Sequence, residues 1–171
     1  MAVTISGDTG ISAVQAGAVE SGDLPSGSLI QVVQNTYNTT TSITSTSYTD
    51  SGLSASITPT SASNKILVTI QLCGRYYTQT NAGRDFFTNI VRDSTQIHFV
   101  VSSNVQSGTG TDGFAQYPVL SSLIYLDSPS TTSLTTYKVQ AKVNPSSNST
   151  TIRFNDSDNG VSTITLMEIA G

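Results

Sequence analysis

Residues 121–143 show most clearly how apolar and polar positions alternate along this chain. In their second half, Tyr137, Val139, Ala141 and Val143 alternate with polar or charged residues. This period of two predicts an antiparallel strand with one buried face and one solvated face. Proline cannot donate to a sheet hydrogen bond, so Pro129 separates this strand from an earlier one.

That earlier strand, residues 123–126, is apolar on both faces. Leu123 and Tyr125 share one face and Ile124 and Leu126 the other, which predicts that both faces are at least partly covered. The sequence therefore predicts a pair of strands joined by a short polar connection. Residues 163–169 are predicted to pack with this pair.

Similar short runs recur along the rest of the chain and predict about nine strands and no helix. Residues 38–47 are predicted as an edge strand, and Asp93-Ser94 as the turn of a hairpin between residues 86–92 and 96–102. The fold class predicted is all-β, an antiparallel β-sandwich. Eight side chains are predicted to share its core: Ile66, Val68, Ile70, Tyr137, Val139, Val143, Ile152 and Phe154.

Residues 1–27 have a different composition and are predicted to form an extended N-terminal arm in front of a sandwich domain at residues 28–171. Frequent glycines interrupt their small apolar residues, and Asp23-Leu-Pro-Ser-Gly27 marks a boundary. The arm is expected either to become ordered against a partner or to form a strand over its own sandwich. The residues predicted to anchor it are Val3, Ile5, Ile11 and Val14.

The net charge of −4, with seven dispersed basic residues, argues against a nucleic-acid partner. No apolar run reaches the length of a membrane helix, and the N-terminus lacks the features of a signal peptide. Cys73 is the single cysteine, so the chain forms no internal disulfide.

Several phrases of the sequence resemble a module of structural proteins from tailed phages, marine and cyanobacterial ones especially. They include GSLIQVVQ, SITSTSYTDSGLSASITPTSASNKILV, VRDSTQI, IYLDSPSTTSLTTYKVQ and STITLMEIAG. The resemblance implies a virion surface protein, often of the tail-fibre or fibre-like kind, with a jelly-roll-like sandwich that commonly forms a homotrimer. It implies no catalytic residue and no cofactor.

Arg75, Tyr76 and Tyr77 are the candidate residues for contact with a ligand or another protein, because residues 74–83 are predicted as a polar loop or a distorted hairpin. The alternative is that the tyrosines fold back over a sheet edge. His98 is predicted to be structural or part of an interface, since a single histidine builds neither a multi-histidine metal site nor a conventional triad. Cys73 is predicted to be a small buried side chain at the end of a core strand.

Residues 156–160 resemble a calcium loop only faintly, because a Met stands at position 167, where the twelfth-position Glu would be. A hairpin turn is the preferred interpretation, with Asn-Gly at residues 159–160 as its signal. Three Asn-x-Ser/Thr matches, at Asn38, Asn148 and Asn155, are expected by chance in a chain so rich in Ser and Thr.

Apolar residues on both faces at Ile124/Tyr125 and Leu166/Met167 predict a homo-oligomer, a trimer by resemblance. The leading hypothesis is a head-decoration or short head-fibre protein, held on a capsid or tail protein by residues 1–27, because a long fibre needs a shaft of heptads or β-repeats. The alternative is a receptor-binding fibre tip that recognises a host surface polysaccharide. An enzyme is disfavoured, since acidic residues are few and lie mostly in predicted turns.

Overall fold

The computed structural model describes residues 21–78, 86–102, 115–144, 151–156 and 160–171. Apart from one 3₁₀ turn at Ser21–Asp23, the regular structure in these ranges is β-strand. This confirms the all-β prediction. The strands are β1 (Leu29–Tyr37), β2 (Thr41–Ile43), β3 (Thr49–Ile57), β4 (Lys65–Thr78), β5 (Phe86–Arg92), β6 (Thr95–Ser102), β7 (Ala115–Asp127), β8 (Thr135–Val143), β9 (Thr151–Phe154) and β10 (Ser162–Ile169).

Two antiparallel sheets pack face to face. In sheet A, β1 pairs with β10, β10 with β4, and β4 with β7. In sheet B, the order is β3-β8-β5-β6. The short strands β9 and β2 extend sheet A beside the second half of β4. With the orders β1-β10-β4-β7 and β3-β8-β5-β6, the eight long strands form a jelly roll.

The core lies between the two sheets and is built by the predicted period of two. Along β8, every second residue from Thr135 to Val143 is buried, and the residues between them are partly exposed. All eight side chains predicted for the core are buried and belong to one cluster. The cluster also takes in residues from other strands, among them Leu53, Ile90, Leu123, Ile164 and Leu166.

The β5–β6 hairpin confirms the turn predicted at Asp93-Ser94. Asp93 takes a positive φ of 54°, a conformation that Asp tolerates better than most residues. Its backbone N–H donates to the Thr136 carbonyl at 2.7 Å, and its Oδ1 accepts from the Thr136 N–H at 2.9 Å. The turn is therefore fixed to the neighbouring strand β8.

Two predicted pairings are wrong. Residues 123–126 and 137–143 do not pair, because β7 lies in sheet A and β8 in sheet B. Nor do β9 and β10 form a hairpin around residues 156–160. Both pair with the same edge of β4, β10 along Lys65–Gln71 and β9 along Gly74–Tyr77.

Two predicted boundaries also change. The edge strand predicted at residues 38–47 is only three residues long, Thr41–Ile43. Residue Gly74 lies within β4, which continues to Thr78. A Cβ at Gly74 would stand 2.5 Å from the Arg153 carbonyl oxygen, so the glycine allows the close approach of β9.

The start of β1 is joined to the end of β10. The Gly27 N–H donates to the Ala170 carbonyl at 2.8 Å, and the Ala170 N–H donates to the Ser28 carbonyl at 2.9 Å. Residues 27 and 28 are therefore part of the sandwich edge. The predicted anchor residues Val3, Ile5, Ile11 and Val14 lie outside the described residues.

Candidate functional site

The predicted contact residues lie in a strand and not in a loop. Arg75, Tyr76 and Tyr77 belong to β4, so their side chains alternate between the two faces of sheet A. Tyr76 points into the core, is 3 % exposed and packs against Phe86 at a ring-centroid distance of 6.0 Å. A ligand-contact role for Tyr76 does not fit this burial, and Arg75 and Tyr77 remain as outward-facing candidates.

These two residues belong to a polar cluster on the outer face of sheet A. Arg75 lies opposite Arg153 of β9, and the Arg153 guanidinium lies over the Tyr77 ring at 4.7 Å from its centroid. The Tyr77 hydroxyl donates to Asp156, and this hydrogen bond raises the pKa of Tyr77 above its usual value. The cluster combines two guanidinium groups, an aromatic ring and a carboxylate.

His98 has a structural position. It lies on β6, and its ring stacks on Tyr125 of β7 with centroids 5.0 Å apart. Since β6 and β7 belong to different sheets, the stacked rings join the sandwich along one side. Cys73 is half-buried within β4 and is not at a strand end as predicted, and its backbone N–H donates to Ser162 Oγ at 3.1 Å.

Asp127 is a buried carboxylate that sequence reasoning did not identify. It accepts from Arg92 Nη1 at 2.8 Å and from the Tyr137 hydroxyl at 2.7 Å, both on its Oδ2. Burial, reinforced by this hydrogen bond, raises the pKa of Tyr137. The three groups come from β7, β5 and β8, so they tie the two sheets together.

Glu168 is a second buried carboxylate that was missed, because it occupies an inward position in the apolar run TITLMEI. Its Oε1 accepts from the Thr60 N–H at 2.7 Å and from Asn64 Nδ2 at 2.6 Å, and its Oε2 accepts from Gln31 Nε2 at 2.5 Å. Burial alone would raise the pKa of Glu168, but these hydrogen bonds outweigh it and lower the pKa. The carboxylate joins β1, β10 and the β3–β4 connection.

Asn155 directly follows β9 and has a positive φ of 52° and a buried side chain. Its Oδ1 accepts from the backbone N–H and the hydroxyl of Ser162, at 3.0 and 2.6 Å. Its backbone N–H donates to the Cys73 carbonyl at 2.9 Å. Asn155 therefore fixes the passage from β9 to β10, and its Asn-x-Ser match has a structural explanation.

Within the part of the chain that the structure describes, no three His, Cys, Asp or Glu side chains come close enough together to hold a metal ion. No helix in the same ranges is long and apolar enough to span a membrane.

No protein-family model and no curated protein matches the sequence. Solved structures that match include the infectious bursal disease virus VP2 subviral particle, with a TM-score of 0.39 and 12 % identity over 82 % of this chain and 33 % of that chain. Another is the infectious bursal disease virus Gt strain, with a TM-score of 0.32 and 13 % identity over 85 % of this chain and 39 % of that one. This chain thus spans less than half the length of these structures.

Proposed function

We propose that this chain is a non-enzymatic structural protein of a tailed-phage particle, displayed on the virion surface as a homotrimeric head-decoration or short fibre protein. The observation that carries the proposal is the strand order of the two sheets, β1-β10-β4-β7 and β3-β8-β5-β6. This jelly-roll order recurs in viral capsid and lectin domains. The resemblance of several sequence stretches to tailed-phage structural proteins favours a virion protein over a lectin.

The use of the buried carboxylates supports a structural role. Asp127 and Glu168 each accept hydrogen bonds from donors on separate segments of the chain. A catalytic carboxylate needs an oxygen that faces the substrate, usually with a partner carboxylate at a defined distance. Both carboxylates here serve to join strands.

We assign attachment to the particle to residues 1–27. Their proposed partner is the capsid or tail protein that lies beneath the sandwich. The start of β1 is fixed beside the end of β10 by the hydrogen bonds between residues 27–28 and Ala170. The chain before β1 therefore leaves the sandwich at this end. Ordering such a segment costs roughly 1–2 kcal/mol of backbone entropy per residue, so it needs contacts that a partner surface can supply.

The test is a truncation that removes residues 1–24 and keeps Pro25, whose carbonyl accepts from the Ser28 N–H, together with the bonds to Ala170. The truncated protein should keep the circular dichroism spectrum and the oligomeric mass of the full chain. Supplied in trans during infection, the full chain should be incorporated into particles and the truncated chain should not.

Two results would contradict parts of this proposal separately. Normal incorporation of the truncated chain would place attachment on the sandwich. If the full chain is absent from purified particles, by mass spectrometry and by surface labelling with antibody, the virion role itself is wrong. The variants Ile5→Ser and Ile11→Ser serve as milder versions of the truncation.

A second candidate function is a fibre tip that binds a host surface polysaccharide. The cluster of Arg75, Tyr77 and Arg153 favours it, because guanidinium and aromatic groups on an outer face can contact sugar hydroxyls and acidic substituents. A glycan array with the full chain and with Arg153→Gln tests this. Binding that the substitution weakens supports a receptor role, and an array without any binding argues against it.

A further inference from the structure

The outer face of sheet A carries an apolar row that crosses four strands. Val32 of β1 lies opposite Met167 of β10, Met167 opposite Leu67 of β4, and Leu67 opposite Leu126 of β7. With neighbouring strands about 4.8 Å apart, the row is about 15 Å long. Its two ends are the most exposed, Val32 at 52 % and Leu126 at 49 %.

Further apolar side chains widen this row into a patch. Ile124 lies two residues from Leu126 on the same face and is 64 % exposed. On the other side of the row, exposed Leu29 lies opposite Ile169. Together the row and its flanks approach the several hundred Å² at which an apolar patch marks an interaction site.

The outer face of sheet B shows what a solvated face of this protein looks like. On its central strand β8, the outward residues are Thr136, Lys138, Gln140 and Lys142. Lys138 forms an ion pair with Asp50 on that face, at 3.0 Å. An apolar row that crosses four strands is found on sheet A, whereas on sheet B the exposed apolar side chains Phe99 and Val101 lie on the edge strand β6.

On one side, the groups beside the row are mostly polar and uncharged. The next cross-strand row there is Gln34, Thr165 and Thr69, with Ile124 of the patch at its end, and Gln34 Nε2 donates to Thr165 Oγ1 at 3.0 Å. On the other side, Lys65 lies opposite Ile169. Hydroxyl and amide groups both donate and accept hydrogen bonds, so such a rim can hydrogen-bond to neighbouring copies of this chain. A rim of like charges would repel its own copy. An apolar centre with a polar rim is also the anatomy of protein interfaces.

We propose that the outer face of sheet A is the surface through which copies of this chain associate. The inference rests on the homotrimer of the proposed function and assigns its contact surface. The sequence predicted association from four apolar residues. Of these, Ile124 and Met167 face outward and belong to the proposed surface, whereas Tyr125 and Leu166 face the core. Apolar burial drives the association, and the polar rim sets its register.

The test compares single lysine substitutions in the full chain by analytical ultracentrifugation at micromolar concentration. Wild-type protein should sediment as a multiple of 17.9 kDa. Leu126→Lys and Val32→Lys should each raise the dissociation constant at least tenfold, since a lysine ammonium within the interface is buried without a partner. Leu134→Lys is the matched control, because Leu134 is 67 % exposed and lies between β7 and β8, outside the patch.

Each outcome decides a separate point. A monomeric wild type overturns both the oligomer and this surface, and leaves particle attachment to be judged from the truncation. An oligomer that survives Leu126→Lys and Val32→Lys overturns the surface alone. Circular dichroism and the urea midpoint establish that each variant is folded.

Disulfide cross-linking provides a second measurement that does not depend on the lysine variants folding. In a Cys73→Ser background, Ile124→Cys should form covalent dimers under mild oxidation, because each chain then has one thiol, and Leu134→Cys should not. Equal cross-linking of the two variants would contradict the assigned surface.

Discussion

Arg92 holds Asp127 through a single guanidinium nitrogen, Nη1, which donates to Oδ1 at 2.9 Å and to Oδ2 at 2.8 Å. Arg92 ends β5 in sheet B, and Asp127 ends β7 in sheet A. The ion pair therefore fixes the two layers to each other at one end of the sandwich. It is largely buried on the Asp127 side.

Replacing Asp127 by alanine should lower the free energy of unfolding by about 3 kcal/mol, because it leaves the Arg92 guanidinium without its carboxylate and the Tyr137 hydroxyl without its acceptor. Asp50→Ala is the control, since the Lys138–Asp50 pair is largely exposed and its loss should cost less than about 1 kcal/mol. Urea denaturation at one protein concentration measures both. Equal losses would mean that burial does not strengthen the Arg92–Asp127 pair.

Removing the hydroxyl group should affect the stability of the protein differently at two buried tyrosines. The Tyr76 hydroxyl is buried with no hydrogen-bond partner among the residues described, so Tyr76→Phe should leave stability unchanged or raise it. The Tyr137 hydroxyl donates to Asp127, so Tyr137→Phe should cost about 1–3 kcal/mol. Thermal unfolding of the two variants side by side tests the contrast, and a larger loss for Tyr76→Phe would contradict it.

Gly74→Ala should destabilise the protein by about 1–3 kcal/mol, because the added Cβ meets the Arg153 backbone carbonyl and forces β9 away from β4. Gly22→Ala is the control, since nothing lies within 4 Å of a Cβ there. Urea midpoints of the two variants give the comparison. A Gly74→Ala protein as stable as Gly22→Ala would show that the two strands separate easily.

Acid should destabilise the fold through Glu168. Its pKa in the folded protein is lowered from its usual 4.5, so its contribution is present above that value and is lost as the pH falls through the lower, folded pKa. Glu168→Gln should be less stable at pH 7 but should lose less stability on acidification than the wild type. Urea unfolding over a series of pH values tests this.

Asp50→Asn is the comparison for the acid response. The Asp50 carboxylate is largely exposed. Asp50→Asn should therefore reduce the pH dependence of the free energy of unfolding less than Glu168→Gln does. If the Glu168→Gln profile parallels that of the wild type, other groups carry the acid response.

The sequence was sufficient to predict the fold class and the core because each buried strand face repeats every two residues. Tyr137, Val139 and Val143 were predicted on one face of β8, and all three are buried. The two-residue repeat of buried positions does not, however, determine which strands pair. The chain passes from sheet A to sheet B between Asp127 and Thr135, and the local pattern there is the same as in a hairpin.

The candidate site was only partly predictable. Gly74 suggested a loop, whereas its role is to let two backbones come close, which depends on β9 about 80 residues later in the chain. Arg153 and Asp156 complete the cluster around Tyr77 from that distance. Glu168 was hidden for a similar reason, because its partners Asn64 and Gln31 are far from it in sequence.

The pairing of β1 with β10 has a consequence for how the protein folds. Leu29 pairs with Ile169, so an inner strand of sheet A and its outermost partner come from opposite ends of the sandwich domain. Closing a loop of that length costs conformational entropy before the stabilising contacts between its ends can form. Chains dominated by such distant contacts therefore fold slowly. During synthesis, β4 and β7 can meet early, but β10 leaves the ribosome last. Until then the edge of β4 that β10 covers stays open, and in that interval the chain is most exposed to aggregation.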